Sequence, residues 1–196
     1  MRIAIIGAGR VGTTLGAGWT AAGHDVVYGV RDPQGGDRVA VGDAVDGADV
    51  VVNALPFDAV ADVFAGLDVG DAIVIDASNP LTPGANEAER ETALSGAERL
   101  AGLTGSSRVV KAFNTTGSAN MADPAFPGGA AAMLVAGDDE AAKATISDLA
   151  AALGFDPVDA GPLSAARDLE HVANLWIRMA YGLGNGPGFA FAVLRR

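Results

Sequence analysis

The chain has 196 residues, which is enough for one domain with a substantial core or for one domain plus a short appendage. Its formal net charge of −11 argues against a nucleic-acid partner and against docking on an anionic membrane, because both would repel an acidic surface. The absence of cysteine excludes thiolate catalysis, disulfides and cysteine-ligated metal, and the two histidines argue against a His-rich metal site. We therefore expect a bound cofactor, and no metal, to carry the chemistry.

The first seven residues lead directly into a glycine-rich turn, so no secretory signal is predicted. No uninterrupted apolar run reaches the roughly 18–20 residues that a membrane-spanning helix needs. The nearest candidate, 172–194, is interrupted by Asn174, Arg178, Asn185 and Pro187. A cytoplasmic protein is the expectation that follows.

Apolar runs of strand length alternate along the chain with stretches of helical periodicity. Strands are predicted at 3–6, 26–28, 50–52, 73–75, 109–110 with 112–113, 131–135 and, more briefly, near 157–158. Helices are predicted at 11–22, 57–67 and 140–153, with a short helix or turn at 39–47 and a helical pattern from 163 onward.

The Val- and Ile-rich runs are continuous rather than alternating, which is typical of strands buried on both faces of a parallel sheet. Alternation of strands and helices with right-handed crossovers then predicts a doubly wound α/β fold. We divide the chain into a main domain at 1–162 and a C-terminal helical segment at 163–196, which supplies substrate-pocket or dimer contacts.

Gly7, Gly9 and Gly12 form the G-x-G-x-x-G pattern of a phosphate-binding turn. In a chain with 27 glycines the pattern alone is weak, but this match directly follows the first strand and opens the first helix. The three glycines permit, in order, a tight turn, close approach of the backbone to a pyrophosphate, and packing of helix on strand. A glycine-rich turn in an unrelated α/β domain is the alternative, and a dinucleotide held at the helix N-terminus of a Rossmann sheet is favoured.

The end of the second strand bears on the choice between NAD and NADP. An NAD site usually has Asp or Glu there to hold the ribose 2′-hydroxyl. Here Val30 is followed by Arg31, whose guanidinium suits a 2′-phosphate. Arg31 could instead be a solvated charge paired with Asp32, and Asp32 facing the ribose would favour NAD. NADP is favoured, with Arg10 as a second positive group near the phosphates.

Several further segments share a pattern with one known family. They are 5–9 (IIGAG), 29–33 (GVRDP), 76–80 (DASNP), 110–115 (VKAFNT) and the C-terminal stretch 175–196. Together they resemble the coenzyme F420-dependent NADP reductases. That family includes the NADPH:deazaflavin oxidoreductases and the cytoplasmic NADP-binding domain of membrane ferric reductases.

The resemblance implies a homodimer in which NADP lies across the carboxyl edge of the sheet and coenzyme F420 stacks on the nicotinamide. It implies these cofactor-binding residues: Gly7, Gly9, Arg10, Val11, Gly12, Arg31, Ala54, Leu55, Pro56 and Asn79. On the substrate side we place Pro80, Asn114, Thr115 and Leu183. The loops after predicted strands are also where open α/β sheets bind ligands on general grounds.

Some of these assignments have simpler alternatives. Pro56 and Pro80 could be loop stiffeners, and Asn114 could bond its own backbone in a turn. Val30 also departs from the family, which often has Ser or Thr just before the arginine, so the predicted 2′-phosphate site lacks one hydroxyl.

For five further residues the sequence favours structural roles over catalytic ones. Lys111, within the fifth apolar run, is predicted to form an ion pair rather than to act as a general base. His171 either borders the substrate pocket or lies on a solvated helix face, and the second is favoured. Trp176, Met179 and Phe189 are predicted to be core or dimer contacts rather than ring-stacking groups.

The predicted function is hydride transfer between NADP(H) and the deazaflavin coenzyme F420, by proximity and stacking without an acid–base residue. An NADPH-dependent reductase of a flavin, a quinone-like compound or a ferric acceptor is the alternative. A non-catalytic dinucleotide sensor on the same scaffold is the third interpretation.

Overall fold

The computed structural model describes residues 1–33, 35–80 and 94–196. Within these residues the strands are β1 (Arg2–Ile6), β2 (Asp25–Val30), β3 (Arg38–Ala40), β4 (Val50–Asn53), β5 (Ile73–Asp76), β6 (Val109–Lys111), β7 (Ala125–Phe126), β8 (Gly129–Ala130), β9 (Ala132–Gly137) and β10 (Asp156–Gly161). The helices are α1 (Arg10–Ala21), α2 (Val41–Val45), α3 (Phe57–Phe64), α4 (Gly96–Thr104), α5 (Ser118–Ala122), α6 (Glu140–Ala152) and α7 (Ala166–Ile177). A 3-10 turn, Leu163–Ala165, precedes α7, and a π-helical turn, Arg178–Gly182, follows it.

Eight strands form one sheet in the order β10-β9-β6-β5-β4-β1-β2-β3, and β7 and β8 form a separate hairpin. The six strands from β6 to β3 are parallel, as the continuous apolar runs predict. The doubly wound α/β fold of the Rossmann type is therefore confirmed.

The fully parallel sheet that the sequence predicts is wrong at one edge, where β9 pairs antiparallel with β6. Between these strands the chain forms only the five-residue α5 and the β7–β8 hairpin. A parallel connection needs a crossover that carries the chain from the carboxyl end of one strand back to the amino ends of its neighbours. This connection stays near the carboxyl end of β6, so β9 runs in the opposite direction to β6, and β10 then pairs parallel to β9.

Both faces of the sheet are covered. Ile3 and Ile5 of β1 face one cluster, which includes Trp19 of α1. Ala4 and Ile6 of the same strand face the other cluster, which includes Phe64 of α3. Because both faces of β1 are covered, this strand contains no polar residue after Arg2. Polar side chains that could bind a ligand are therefore expected at the ends of the parallel strands.

The fifth predicted strand ends earlier than expected. β6 stops at Lys111, and Phe113 has a φ of 59°, a left-handed conformation that is uncommon for a residue with a bulky side chain. The Phe113 side chain is fully buried and its N–H donates to the Met133 sulfur at 3.0 Å. The chain therefore turns sharply at Phe113 and directs the next two residues across the carboxyl edge.

The C-terminal segment is helical only as far as Gly182. From 183 onward the chain has no regular structure, which corrects the prediction of a helical tail, and the Ala132 N–H donates to the Phe191 carbonyl at 2.9 Å. Glycines alternate with other residues from 182 to 188, and their low helix propensity accounts for the end of the helix. The division into a domain at 1–162 and a segment at 163–196 stays a prediction.

Among the helices of the described residues, none combines the length and the apolar character that crossing a membrane requires.

Candidate active site

The turn between β1 and α1 has the backbone that a glycine loop requires. Gly7 has a φ of +106°, and its N–H donates to the Gly29 carbonyl at 3.0 Å, which fixes the turn against β2. A Cβ on Gly12 would overlap the carbonyl oxygen of Gly7, so only glycine lets α1 approach β1 this closely. A Cβ on Gly9, in contrast, would meet nothing within 4 Å and would point into open space.

The N-terminus of α1 is open to an anion. Gly9 is its N-cap and has no side chain to accept from the first turn, and the first turn contains no acidic residue. Arg10 is exposed at the first helical position, and Val11 is half-buried against the core. The first N–H groups of α1 and its dipole therefore point to the space above Gly9, as a diphosphate requires.

A cavity of about 440 Å³ lies beside this turn. Its walls come from the ends of β1 and β2, the loop after β4, and helix α3: Ile6, Gly7, Ala8, Gly29, Val30, Arg31, Val41, Leu55, Ala59 and Val63. The lining is apolar apart from Arg31, which is exposed, and among the described residues no carboxylate forms a salt bridge with it. This is the arrangement expected for an adenine face with a guanidinium near the ribose.

The loop after β4 lies over the glycine turn. The Ala54 N–H donates to the Ile6 carbonyl at 3.0 Å, and a Cβ on Gly7 would lie 3.0 Å from the Ala54 carbonyl oxygen. Leu55 lines the cavity and Pro56 is the N-cap of α3. The structure thus brings the predicted residues 54–56 into direct contact with the glycine turn.

The loops after β5 and β6 are joined by a pair of amides. Asn79 Nδ2 donates to the Asn114 carbonyl at 3.0 Å, and Asn114 Nδ2 donates to Asn79 Oδ1 at 3.0 Å. The Asn114 Oδ1 atom is buried and has no hydrogen-bond partner among the described residues. Thr115 is buried beside Asn114, and Pro80 is half-buried next to Asn79. The Asn114 side chain therefore bonds Asn79 in the neighbouring loop, and the alternative in which it bonds only the backbone of its own turn is wrong.

The residues present fit a dinucleotide. The open space at Gly9, the uncapped helix and the apolar cavity ending at Arg31 follow one another along the carboxyl edge. The Asn79–Asn114 pair lies in the loops after β5 and β6, the two strands beyond β4 in the same sheet. The sheet order therefore places the cavity at β1–β2 and the pair of amides at β5–β6, on the two sides of the glycine turn.

A buried charge cluster lies below the amide pair. Lys111 Nζ donates to Asp76 Oδ2 at 2.8 Å, to Glu170 Oε1 at 3.1 Å and to the Ser78 carbonyl at 2.6 Å. Glu170 Oε1 also accepts from the Gly96 N–H at 2.8 Å, at the start of α4. The ion pair predicted for Lys111 is confirmed, whereas sequence reasoning did not find its partners.

Burial raises the pKa of Glu170, and this outweighs the opposing effects of Lys111 and of the Gly96 N–H. The carboxyl therefore resists ionisation even beside a lysine. The sequence signal for the cluster is that two apolar strands each end in a charged residue. Asp76 follows the run at 73–75, and Lys111 follows the run at 109–110.

Other predicted residues lie away from these loops. Leu183 follows the π-helical turn and is 69% exposed, so its place on the substrate side stays a prediction. His171 is exposed on α7, as the solvated-face interpretation expects. Trp176 is buried, donates from Nε1 to the Phe189 carbonyl at 2.9 Å and stacks on the Phe189 ring at 5.5 Å. Trp176 and Phe189 thus pack on each other within the chain.

Comparison with known proteins extends these observations. Residues 2–80, which contain the glycine turn, Arg31 and Asn79, match the family model described as NADP oxidoreductase, coenzyme F420-dependent. A crystal structure of a "putative F420-dependent NADP-reductase" from Arthrobacter sp. FB24 is 29% identical, covers 100% of both chains and superposes with a TM-score of 0.86. A hypothetical protein of Sinorhizobium meliloti is 30% identical over 100% of this chain and 96% of that one, with a TM-score of 0.74.

Metalloreductase STEAP3 of Rattus norvegicus is 33% identical, over 87% of this chain. The match covers 36% of STEAP3, so the chain spans about a third of the length of that curated relative. The family expected from the motifs is therefore confirmed. The chain belongs to the coenzyme F420-dependent NADP oxidoreductase family, a family of NADP(H)-binding oxidoreductases.

Proposed function

We propose that the protein transfers hydride between NADP(H) and the deazaflavin coenzyme F420. The observation that carries the proposal is the similarity to the Arthrobacter reductase over the full length of both chains, including the C-terminal segment beyond the family-model match. NADPH, when bound, supplies the hydride. The protein's own contribution is to bind, to orient and to exclude water.

Each part of the carboxyl edge has a distinct task in this proposal. The N–H groups at Gly9 and at the start of α1 bind the diphosphate, and Arg31 binds the 2′-phosphate. Leu55 and Val63 give the adenine an apolar wall. Asn79 and Asn114 border the nicotinamide and fix the distance between the loops after β5 and β6.

The amides and hydroxyls at the redox end suit hydride transfer. Asn79, Asn114 and Thr115 can donate and accept hydrogen bonds to a carboxamide or to an oxygen-rich ring without changing charge. Hydride transfer between two stacked rings needs alignment more than a proton acceptor at the reacting carbon. We therefore assign no acid–base residue.

The test is to mix the purified protein with NADPH and oxidised F420 and to follow the loss of deazaflavin absorbance. Parallel reactions contain FMN, a benzoquinone or a ferric chelate in place of F420. We expect turnover with F420 at the highest kcat/KM of the four. Gly9→Ala, which places a methyl group where the diphosphate would lie, is the control for cofactor-dependent turnover.

A ferric acceptor is the second candidate, because STEAP3, a metalloreductase by name, is 33% identical to this chain. Turnover with the ferric chelate and none with F420 would favour it. NADPH binding without turnover on any acceptor would support the dinucleotide-sensing alternative.

We also propose that two copies associate through the C-terminal segment. Leu175 of α7 and Val193 of the terminal stretch are 50% and 40% exposed, and both line an apolar cavity of about 210 Å³. A second copy would cover these side chains. Light scattering after size exclusion should give a dimer that Leu175→Glu converts to a monomer. Leu94→Glu, at an exposed leucine before α4, is the matched control.

A further inference from the structure

The buried cluster of Asp76, Lys111 and Glu170 takes no direct part in the proposed reaction. The Lys111 and Asp76 side chains have no exposed surface, and Glu170 is 4% exposed, so none of them can touch a substrate in this conformation. Three ionisable groups are thus withdrawn from water directly below the loops that border the proposed redox site. Such a cluster is a weak source of stability, because the desolvation of the charges offsets most of their attraction.

The contacts of the cluster converge on one residue, Ser78. Lys111 Nζ donates to the Ser78 carbonyl at 2.6 Å. Asp76 Oδ1 accepts from the Ser78 N–H at 3.0 Å and from Ser78 Oγ at 2.7 Å. Asp76 Oδ1 is itself held by Asn53 Nδ2 at 2.9 Å. The backbone donor, the backbone acceptor and the side chain of Ser78 are therefore all fixed by the cluster.

Ser78 immediately precedes Asn79, so the orientation of the Ser78 peptide groups sets the direction of the Asn79 side chain. Asn79 in turn holds Asn114 through two hydrogen bonds. On the other side, Lys111 is two residues before Phe113, whose left-handed φ of 59° turns the chain toward Asn114. Lys111 ends β6, the strand that leads into the loop with Asn114. Its ammonium also holds the Ser78 carbonyl in the loop with Asn79, so one side chain connects the two loops.

We infer that Lys111 and Asp76 are positioning residues for the nicotinamide half of NADP(H). They act through Ser78 on the Asn79–Asn114 pair. Glu170 joins the cluster to α7 and to the start of α4 through the Gly96 N–H. In the proposed site the adenine half of the cofactor lies at Arg31 and Leu55, which the cluster does not contact directly. The path from Asp76 to Leu55 runs through Asn53, whose Oδ1 accepts from the Leu55 N–H in a long hydrogen bond of 3.3 Å. This inference rests on the proposed NADP(H) site and adds which residues orient its reactive end.

The test compares two ligands that share the adenine half. NADPH occupies the whole site, whereas adenosine 2′,5′-bisphosphate lacks the nicotinamide, its ribose and the second phosphate of the diphosphate bridge. Titration calorimetry gives Kd for both with wild-type protein and with Asp76→Asn/Lys111→Met, in which the Asp76–Lys111 pair is neutral. Glu170 then loses the lysine that opposes the effect of burial on its pKa, so this carboxyl can take up a proton and stay neutral. Lys143→Met is the matched control, because the only other lysine of the chain is also mostly buried, at 6% exposed, but pairs with Asp159 and Glu140.

We expect the double variant to weaken NADPH binding by about tenfold and to leave adenosine 2′,5′-bisphosphate binding within about twofold of wild type. Adding Asn79→Ala to the double variant should cause little further loss, since both changes act on the same contact. In turnover assays kcat should fall more than KM for NADPH rises. Lys143→Met should change neither Kd.

An equal loss of affinity for both ligands, or no loss for NADPH, would overturn the inference. If the double variant does not fold, Ser78→Ala, which removes one hydrogen bond of the cluster, allows the same comparison of the two ligands. We then expect NADPH affinity to fall by about threefold. Failure of the proposed acceptor is separable, because wild-type protein that binds NADPH but reduces no F420 leaves the two-ligand comparison intact. Wild-type protein that does not bind NADPH would refute both.

Discussion

Gly12 of α1 lies against the carbonyl oxygen of Gly7 so closely that a Cβ on Gly12 would overlap it. The contact lets the first turn of α1 lie directly on the end of β1. Gly9, between them, has open space where its Cβ would be. The two glycines therefore serve different purposes, packing at Gly12 and ligand approach at Gly9, and substitutions can separate them.

Gly12→Ala is expected to destabilise the fold by more than about 2 kcal/mol, since the Gly7 backbone must move to admit the methyl group. Gly9→Ala should leave stability within about 0.5 kcal/mol of wild type and weaken NADPH binding by tenfold or more, on the order of 1.4 kcal/mol. Urea unfolding and calorimetric titration measure the two effects. Gly42→Ala, also in open space but in α2, is the control. Normal NADPH affinity in Gly9→Ala would contradict the diphosphate site.

Arg31→Ala is expected to raise KM for NADPH by about 10–100-fold and to change KM for NADH little, because the guanidinium pairs with the 2′-phosphate that NADH lacks. Arg2→Ala makes the same change in net charge at the amino end of β1, where Arg2 pairs with Asp25 at 3.3 Å. It therefore controls for the general electrostatic attraction of a polyphosphate to this acidic chain. Equal effects of Arg31→Ala on both cofactors would refute the assigned role.

Much of the fold could be predicted from the sequence because its signals are local. The apolar runs at 3–6, 50–52 and 73–75 fix three central strands, and the glycine pattern locates the turn between β1 and α1. The box Ser95–Glu98, which caps α4 through reciprocal hydrogen bonds, was an equally local signal that the prediction missed.

The rest depends on contacts between distant residues. Lys111 could be recognised as an ion-pair former, but Asp76 lies 35 residues before it and Glu170 lies 59 residues after it. The sequence does not single out Glu170, because helical spacing alone carries no information about which neighbour covers a side chain. The left-handed turn at Phe113 is set by burial of that ring against Trp19 and Phe155, a tertiary effect that overrides local preference.

Asn120 of α5 attaches the terminal stretch to the domain. Its Nδ2 donates to the Phe189 carbonyl at 2.8 Å, to the Pro187 carbonyl at 3.1 Å and to Thr116 Oγ1 at 2.9 Å. Asn120→Ala should cost about 1–3 kcal/mol and speed chymotryptic cleavage after Phe189 and Phe191, because the Pro187 carbonyl loses this donor, while the Phe189 carbonyl keeps Trp176 Nε1 as its donor. Asn185→Ala, at an exposed amide bonded to the Met179 carbonyl, is the control. Unchanged cleavage would show that the hydrogen bonds from Trp176 and from the Ala132 N–H are enough to hold the segment.

Glu170→Gln tests the electrostatics of the buried cluster through pH. Gln retains an oxygen that can accept from Lys111 and from the Gly96 N–H, so the main change is the loss of ionisation. Burial raises the pKa of Glu170 above the value of 4.5 that applies to the unfolded chain, against the opposing effect of Lys111 and with a smaller contribution from Asp76. Between these two pKa values the native state holds a proton that the unfolded state has released.

Wild-type stability must therefore include a contribution that is present below pH 4.5 and is lost as the pH rises to the folded-state pKa of Glu170. The Glu170→Gln variant does not titrate at this position and so does not lose this contribution. The free energy of unfolding of the variant minus that of wild type should therefore grow by about 1.4 kcal/mol per pH unit across that window and then level off. Urea unfolding from about pH 4 to about pH 8 measures the difference. Glu140→Gln, which removes one exposed carboxylate, is the control for net charge. A difference that falls with rising pH would mean that Lys111 stabilises the ionised carboxylate more than burial opposes it.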